Sequence, residues 1–283
     1  MNTHKEYKLK LFAFTLDLEA DYGGVVNQYE IFKELNKIEE VLSKLSSLGV
    51  KITVFTVGEI FELFPDIIKI FEKCNCEFEP HSYSHNFNSP DSEYEIEKTK
   101  MAYFDYFKKY PIGYRAPRGK ISDAGIKLLE KHGFLYDSSI FPSYFPNPFR
   151  YLFSNKQIHY FGDSKIMEIP FTSVTPFRLT LSISYIKLLG VNFFRKLSLP
   201  DVVCFGSHLH DFIHNENSFN KLPLFWKLIY SRNKLNGIDC CIKFLKHVKQ
   251  QGYKFCYMSE IYNLHKRCGN MKKLLPLESG WVE

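Results

Sequence analysis

Short β-rich runs alternate along this chain with longer stretches of helical period, and that alternation constrains the fold more than any other property of the sequence. The strand-like runs are Lys10–Leu16, Lys51–Val57, Cys76–Glu79, Ile112–Arg115, Leu135–Asp137, Ile166–Ile169, Val202–Ser207 and Lys254–Tyr257. Between them Tyr29–Leu48, Ile60–Lys73, Glu93–Lys109, Asp123–His132 and Ile238–Gln250 carry apolar residues near the helical spacing. A strand, a crossover helix and a second strand lie parallel. The expected architecture is therefore α/β, built on a parallel sheet. Gly49, Gly133 and Gly252 each follow a helical run, where helices end in a left-handed residue.

Two stretches depart from the alternation. Ser139–Lys165, rich in Phe, Tyr, Pro and Asn, has no period and reads as a long loop. Pro176–Leu235 mixes basic and bulky apolar residues, as in Phe193-Phe194-Arg195-Lys196 and Leu224-Phe225-Trp226-Lys227. It reads as helices packed on the sheet, with peripheral contact to a membrane or lipid carrier as the alternative.

Aromatic residues make up 17% of the chain, which supplies a Phe-rich core and leaves rings for a sugar or lipid surface. The net charge of +6 is spread along the chain, which argues against a dedicated nucleic-acid binder and is compatible with anionic substrates or an anionic membrane. No apolar stretch has the length of a transmembrane helix. Met1–Lys10 is polar and Asp17 interrupts the apolar run after it, so no signal-peptide core is read and a cytoplasmic protein is expected. The seven cysteines are accordingly expected to be reduced. Cys74 with Cys76, and Cys240 with Cys241, lack a second pair at zinc-ribbon spacing.

Residues that carry chemistry gather at the ends of the strand-like runs. In Thr15-Leu16-Asp17-Leu18-Glu19 the side chains alternate, so Thr15, Asp17 and Glu19 share a face. They sit at the C-terminal end of a first strand, where α/β folds carry active sites. Asp21 is a substitute for either acid. His81-Ser82-Tyr83-Ser84-His85 follows Pro80, and at i and i+4 on a helical turn the two imidazoles converge on one ion. The pair lacks the glutamate of His-Glu-x-x-His zinc proteases, so a base has to come from elsewhere, and Asp17 and Glu19 are the candidates. Tyr83 and the two serines are placed to orient the rings. Arg115 is suited to hold a carboxylate and keep it ionised. Pro117 and Gly119 shape a tight turn after it, and Arg118 is a candidate contact for a substrate anion. His208 and His210 alternate to the same face beyond Val202-Val203-Cys204-Phe205, and either suits a general acid.

In order and spacing these motifs resemble the polysaccharide deacetylase family with the NodB-homology domain, metal-dependent carbohydrate esterases that remove acyl groups from sugar nitrogens or oxygens. His81-Ser82-Tyr83-Ser84-His85 is similar to the family's His-Ser/Thr-x-x-His motif, and Arg115-Ala116-Pro117-Arg118-Gly119 to its Arg-x-Pro-x-Gly motif. Thr15-Leu16-Asp17 resembles the start of its Thr-Phe-Asp-Asp-Gly motif, with the second acid displaced past Leu18 to Glu19. Tyr136-Asp137-Ser138-Ser139 looks like the fourth motif, with Phe141 and Tyr144 as candidate aromatic partners, and His210-Asp211 looks like the end of the last.

The resemblance spans roughly Leu9 to Leu264 and implies a distorted (β/α) barrel of about seven strands, with residues 1–283 as a single domain. It implies one divalent ion, zinc the expected metal, held by Glu19, His81 and His85. Asp17 is then the base, oriented by Arg115, and His210 the acid. The backbone amide near Tyr83 becomes an oxyanion donor, and Tyr83, Pro117, Arg118, Asp137 and His208 surround the substrate. The implied reaction is removal of an N-acetyl or other acyl group from a sugar of a polysaccharide or surface-glycan precursor, free, nucleotide-linked or lipid-linked. The alternatives are an inactive carbohydrate-binding or scaffolding member of the same fold, and a deformylase or O-deacylase.

Overall fold

The computed structural model describes residues 9–144, 151–174 and 178–274. In chain order the strands are β1 (Leu11–Leu18), β2 (Ile52–Thr56), β3 (Glu77–Pro80), β4 (Gly113–Tyr114), β5 (Tyr136–Asp137), β6 (His159–Tyr160), β7 (Met167–Glu168), β8 (Ser173–Val174), β9 (Leu179–Thr180), β10 (Val202–His208) and β11 (Lys254–Phe255). The helices are α1 (Leu35–Ser47), α2 (Gly58–Leu63), α3 (Pro65–Lys73), α4 (Glu93–Phe107), α5 (Asp123–Lys131), α6 (Ile183–Leu189), α7 (Val191–Phe194), α8 (Glu216–Phe219), α9 (Leu224–Ser231), α10 (Gly237–Gln250) and α11 (Met258–Leu274).

β1 is buried along its whole length, because both of its faces are covered. Phe12, Phe14, Leu16 and Leu18 point into a helix layer that includes Ile38, Leu42 and Leu45 of α1. Leu11 and Ala13 point the other way, into a cluster with Phe55, Met167 and Phe171 that fills the interior of the sheet's curve. The period of two therefore sorts one strand between two cores.

β1 pairs in parallel with β2 and β10, β3 extends the sheet beyond β2, and β11 lies beside the start of β1. A second sheet holds β4, β5 and β7 in parallel, with β6 antiparallel at its edge. β8 and β9 form a hairpin. A few hydrogen bonds bridge the edges of the two sheets on both sides. At one seam Arg115 N donates to Pro80 O at 3.0 Å, and Glu79 accepts from the amides of Ile112 and Gly113 at 3.1 and 2.8 Å. At the other, Thr172 N donates to Cys204 O at 3.0 Å and Cys204 N to Thr172 Oγ1 at 2.9 Å. The result is a distorted (β/α) barrel of parallel strands whose C-terminal ends share one rim.

Each expected strand is present, most a residue or two shorter than its apolar run. The single helix expected over Ile60–Lys73 is two, because Pro65 lacks an amide proton and starts α3 at its first turn. Within Ser139–Lys165 lies β6, and 145–150 of that segment lie outside the described residues. Pro176, where the second irregular stretch begins, lies outside them too. From residue 178 on, that stretch folds into β9, α6 to α9 and β10.

Candidate active site

The carboxyl ends of β1, β3, β4, β5 and β10 deliver the polar residues to the barrel rim. Register does this directly: Asp17 on β1 sits opposite His208 on β10 and Phe55 on β2. Leu18 turns into the helix layer, and Glu19, two residues past Asp17, returns to the cleft side. The displaced acid is thus the one whose strand parity matches the site.

Glu19, His81 and His85 converge so that one ligand atom from each lies within 4.8 Å of the others. Glu19 Oε2 is 3.4 Å from His81 Nε2 and 2.5 Å from His85 Nε2. His81 Nδ1 is 2.8 Å from the Arg115 carbonyl oxygen, which can only accept, and this contact turns the ring so that Nε2 faces Glu19. His85 Nε2 is buried and has no hydrogen-bond partner of proper geometry despite the nearby carboxylate. Two imidazole nitrogens and one carboxylate oxygen around a common point are a zinc-type donor set that leaves further coordination positions open. Burial alone would raise the Glu19 carboxyl; His85, His81 and His208 outweigh it and hold the group well below the ordinary carboxylate range.

The expected helical turn between the histidines is not formed. Ser82 and His85 take φ values of +58° and +57°, and the chain coils back on itself. Glu95 of α4 pins this coil, accepting from Tyr83 N and Ser84 N at 2.8 Å each and from Ser84 Oγ at 2.5 Å. The Tyr83 amide is therefore committed to Glu95 and is no oxyanion donor. The Tyr83 ring is buried away from the cleft, with its hydroxyl donating to Glu62.

Arg115 is 1% exposed and lies behind Asp17. Nη1 donates to Asp17 Oδ1 at 2.5 Å and to Thr15 Oγ1 at 2.9 Å, while Nε and Nη2 donate to Ser138 O and Oγ at 3.0 and 3.1 Å. The guanidinium is sandwiched between Phe55 and Phe171, 3.8 and 4.1 Å from their ring centroids. Pro117 is buried in the turn that follows and does not reach the cleft. Arg118 lines the cleft, 3.6 Å from the Phe87 ring centroid. Gly119 takes φ +63°, and a Cβ there would press on Ser139 O and Phe141, so the turn requires glycine.

His208 lines the cleft and His210 does not. β10 ends at His208 and a tight turn over Leu209–Asp211 follows, so strand alternation stops before it reaches 210. His208 Nε2 lies 3.4 Å from Glu19 Oε1 and 3.8 Å from Asp17 Oδ2, and the side chain keeps 30% exposure. Asp211 Oδ2 sits 3.6 Å from His208 Nδ1 and accepts from His208 N at 3.0 Å. Enclosure by itself would lower His208, but Asp211, Glu19 and Asp17 outweigh it and raise it to about 9. His210 is buried between Tyr22 and Tyr230 and behind His208; burial pushes it down to about 3.

Asp137 is fully buried away from the cleft, where it accepts from Ser139 Oγ at 2.7 Å and pairs with Glu168. Its place in the fourth motif is structural. Asp21 is also taken: its carboxylate accepts from the amides of Glu30 and Ile31. Phe141 does line the cleft, stacked on Phe171 with centroids 3.9 Å apart, while Tyr144 is exposed outside it. The cleft measures about 270 Å³. Opposite the acids its wall is aromatic, made by Tyr22, Tyr185, Trp226 and Tyr230.

Three of these residues escape a reading of motifs. Glu95 had a signal, since Ser92-x-x-Glu95 ahead of a helix is a capping-box pattern; Ser92 does cap α4, but Glu95 turns back to the histidine coil. Trp226 and Tyr230 are visible only in three dimensions. Of the rings in the basic and apolar stretch, read as packed helices with membrane contact as the alternative, Phe194 is buried in the core, Phe193 is partly exposed and Trp226 faces the cleft.

Comparison with known proteins agrees with this geometry. A family model for polysaccharide deacetylases matches residues 27–136, a stretch that holds His81, His85 and Arg115. The peptidoglycan deacetylase of Helicobacter pylori is 30% identical over 144 residues, 46% of this chain and 49% of that protein, so the match spans about half the length of this curated relative. A solved structure from Mycobacterium smegmatis, described as a candidate polysaccharide deacetylase, superposes with a TM-score of 0.60 at 19% identity, over 100% of this chain and 97% of that one. A mutant of a CE4 pseudoenzyme with restored activity gives a TM-score of 0.51 at 16% identity, over 90% of this chain and 68% of that one. The histidine pair and the arginine thus fall inside the stretch, residues 27–136, over which the chain resembles the polysaccharide deacetylase family, and the fold is common to the solved structures.

Proposed function

We propose that the chain is a metal-dependent hydrolase that removes an acyl group, N-acetyl in the first instance, from a sugar of a cell-surface glycan or its precursor. The observation that carries this reading is the convergence of Glu19, His81 and His85 on one point, with the buried His85 Nε2 lacking a hydrogen-bond partner. A divalent ion, zinc by the donor set, would when bound polarise the acyl carbonyl and acidify a water there. Arg115 holds Asp17 through Oδ1, which leaves Oδ2 to take the proton of the attacking water. His208, facing the cleft and backed by Asp211, is the group that protonates the departing sugar amine. Tyr185, Trp226 and Tyr230 offer ring faces to the sugar. The likeness to the Helicobacter pylori enzyme supports an N-acetylated sugar of peptidoglycan as the first substrate to try.

Metal analysis together with acetate release from N-acetylglucosamine oligomers and from peptidoglycan tests the reading. His85→Ala is expected to lose bound metal and activity together. Asp17→Asn is expected to keep the metal and lose about 10²–10⁴ of kcat, because it removes a base and no ligand. Release of formate or of O-linked acetate instead would keep the hydrolase and change its substrate. Full metal content in both His81→Ala and His85→Ala, or metal-loaded protein that releases no acyl group, would sink it.

A further inference from the structure

α9 has two working faces. At about 100° per residue Trp226 and Tyr230 fall on one side of the helix and Leu224, Phe225 and Leu228 on the other. The first side is the aromatic wall of the cleft, where the Trp226 and Tyr230 rings stack 5.8 Å apart. The second is largely open among the described residues: Leu224 is 74% exposed, Phe225, whose ring meets Trp226 edge-on, 60% and Leu228 66%, and Leu235 just beyond is 71% exposed. Apolar side chains this large, grouped on one short helix, are uncommon on a surface that has no partner.

Charge identifies the partner. From residue 217 to 238 the sequence has no Asp or Glu, and it carries Lys221, Lys227, Arg232 and Lys234. Glu216 lies 3.5 Å from Lys234, and Lys221 bonds Gln28; Lys227 and Arg232 make no ion pair among the described residues. A basic rim around an apolar helix face suits an anionic bilayer, which takes the apolar side chains below its headgroups and the cations among its phosphates. A two-fold dimer through this face would instead bring two sets of Lys227 and Arg232 together with no carboxylate between them. No described helix is long and apolar enough to cross a membrane, so the contact is peripheral.

We propose that the outer face of α9 seats the protein on an anionic bilayer, with the cleft behind α9 opening beside that surface toward a glycan held there. The proposal rests on the hydrolase reading only for what the cleft receives. Flotation with equimolar phosphatidylcholine and phosphatidylglycerol vesicles tests the surface itself. Wild-type protein is expected to float at low salt, less at high salt, and poorly with phosphatidylcholine alone. Replacing Leu224, Phe225 and Leu228 with Gln together is expected to weaken binding about tenfold or more, while release of acetate from a soluble oligosaccharide stays unchanged. Lys227→Gln with Arg232→Gln is expected to remove the preference for the anionic lipid. Wild type that stays unbound at low salt, a triple variant that floats as well as wild type, or a stable dimer that the triple variant abolishes would each overturn the proposal. Flotation without acyl release from any sugar would leave this surface standing and overturn the hydrolase reading alone.

Discussion

Arg115 is the residue on which the geometry of Asp17 depends. Among the described residues its guanidinium donates only to internal partners, Asp17, Thr15, Ser138 and Cys204, and two phenyl rings close its faces. Arg115→Ala would take from Asp17 its buried hydrogen-bonding partner, leaving only His208 at 3.8 Å, and is expected to cost about 3–5 kcal/mol in unfolding free energy. Arg115→Lys keeps the charge and loses the planar fork, so it should retain more stability than the alanine variant while kcat falls at least tenfold. Denaturant titration beside steady-state kinetics separates the two effects; an Arg115→Lys enzyme with full kcat would show that orientation of Asp17 is unimportant. Motif spacing made Asp17, Glu19, His81, His85 and Arg115 legible, because each stands at the end of a strand and parallel strands end on one rim. The choice between His208 and His210 was not legible. It depends on where β10 stops, and the Asp211 side chain that accepts from His208 N helps to set that point.

The coil between β3 and α4 is an element without regular structure, and its shape comes from a side chain outside it. Glu95 satisfies two backbone amides and one hydroxyl of the coil from the first turn of α4. Glu95→Ala would orphan these donors at about 1–3 kcal/mol in stability and loosen His85 by the same movement. Metal affinity, measured by chelator competition, is expected to fall about 10–100-fold although Glu95 touches no candidate ligand atom. Unchanged affinity in a folded Glu95→Ala protein would reduce Glu95 to a helix-end residue. Elements with strong period were readable throughout, as with β1 and α1. α9 was not, since its sequence Leu-Phe-Trp-Lys-Leu-Ile-Tyr-Ser is apolar nearly all round and lacks a side-chain cap. The hairpin of β8 and β9 has two-residue strands, too short for any alternation to register.

Across the whole molecule, the barrel contains carboxyl groups buried at its joints, and these tie its stability to pH. Glu168 on β7 is fully buried; burial first, and then the Asp137 carboxyl on β5, raise it well above its ordinary value of 4.5. Asp137 is itself raised by burial, against the hydrogen bonds from Ser139 and the charge of Arg115. Cys204 on β10 also faces Glu168, and the Ile140 amide donates to Glu168 Oε1 at 2.9 Å. One proton between the two carboxyls, resident on Glu168, is the arrangement these surroundings favour. A carboxyl raised in the folded state binds its proton more tightly there than in the unfolded chain, so its contribution is complete below the unfolded value and is lost as pH rises toward the folded one. Wild-type stability is therefore expected to carry a component that declines as pH rises above the ordinary glutamate value of 4.5. Glu168→Gln keeps the neutral shape and can donate to Asp137 without a titrating proton. It should match wild type at the acid end and gain on it as pH rises, a difference that cancels the contribution of the metal site common to both proteins. Parallel denaturation curves at a series of pH values check this; a variant uniformly less stable at every pH would mean that Glu168 is ionised in the fold and paired by some other means.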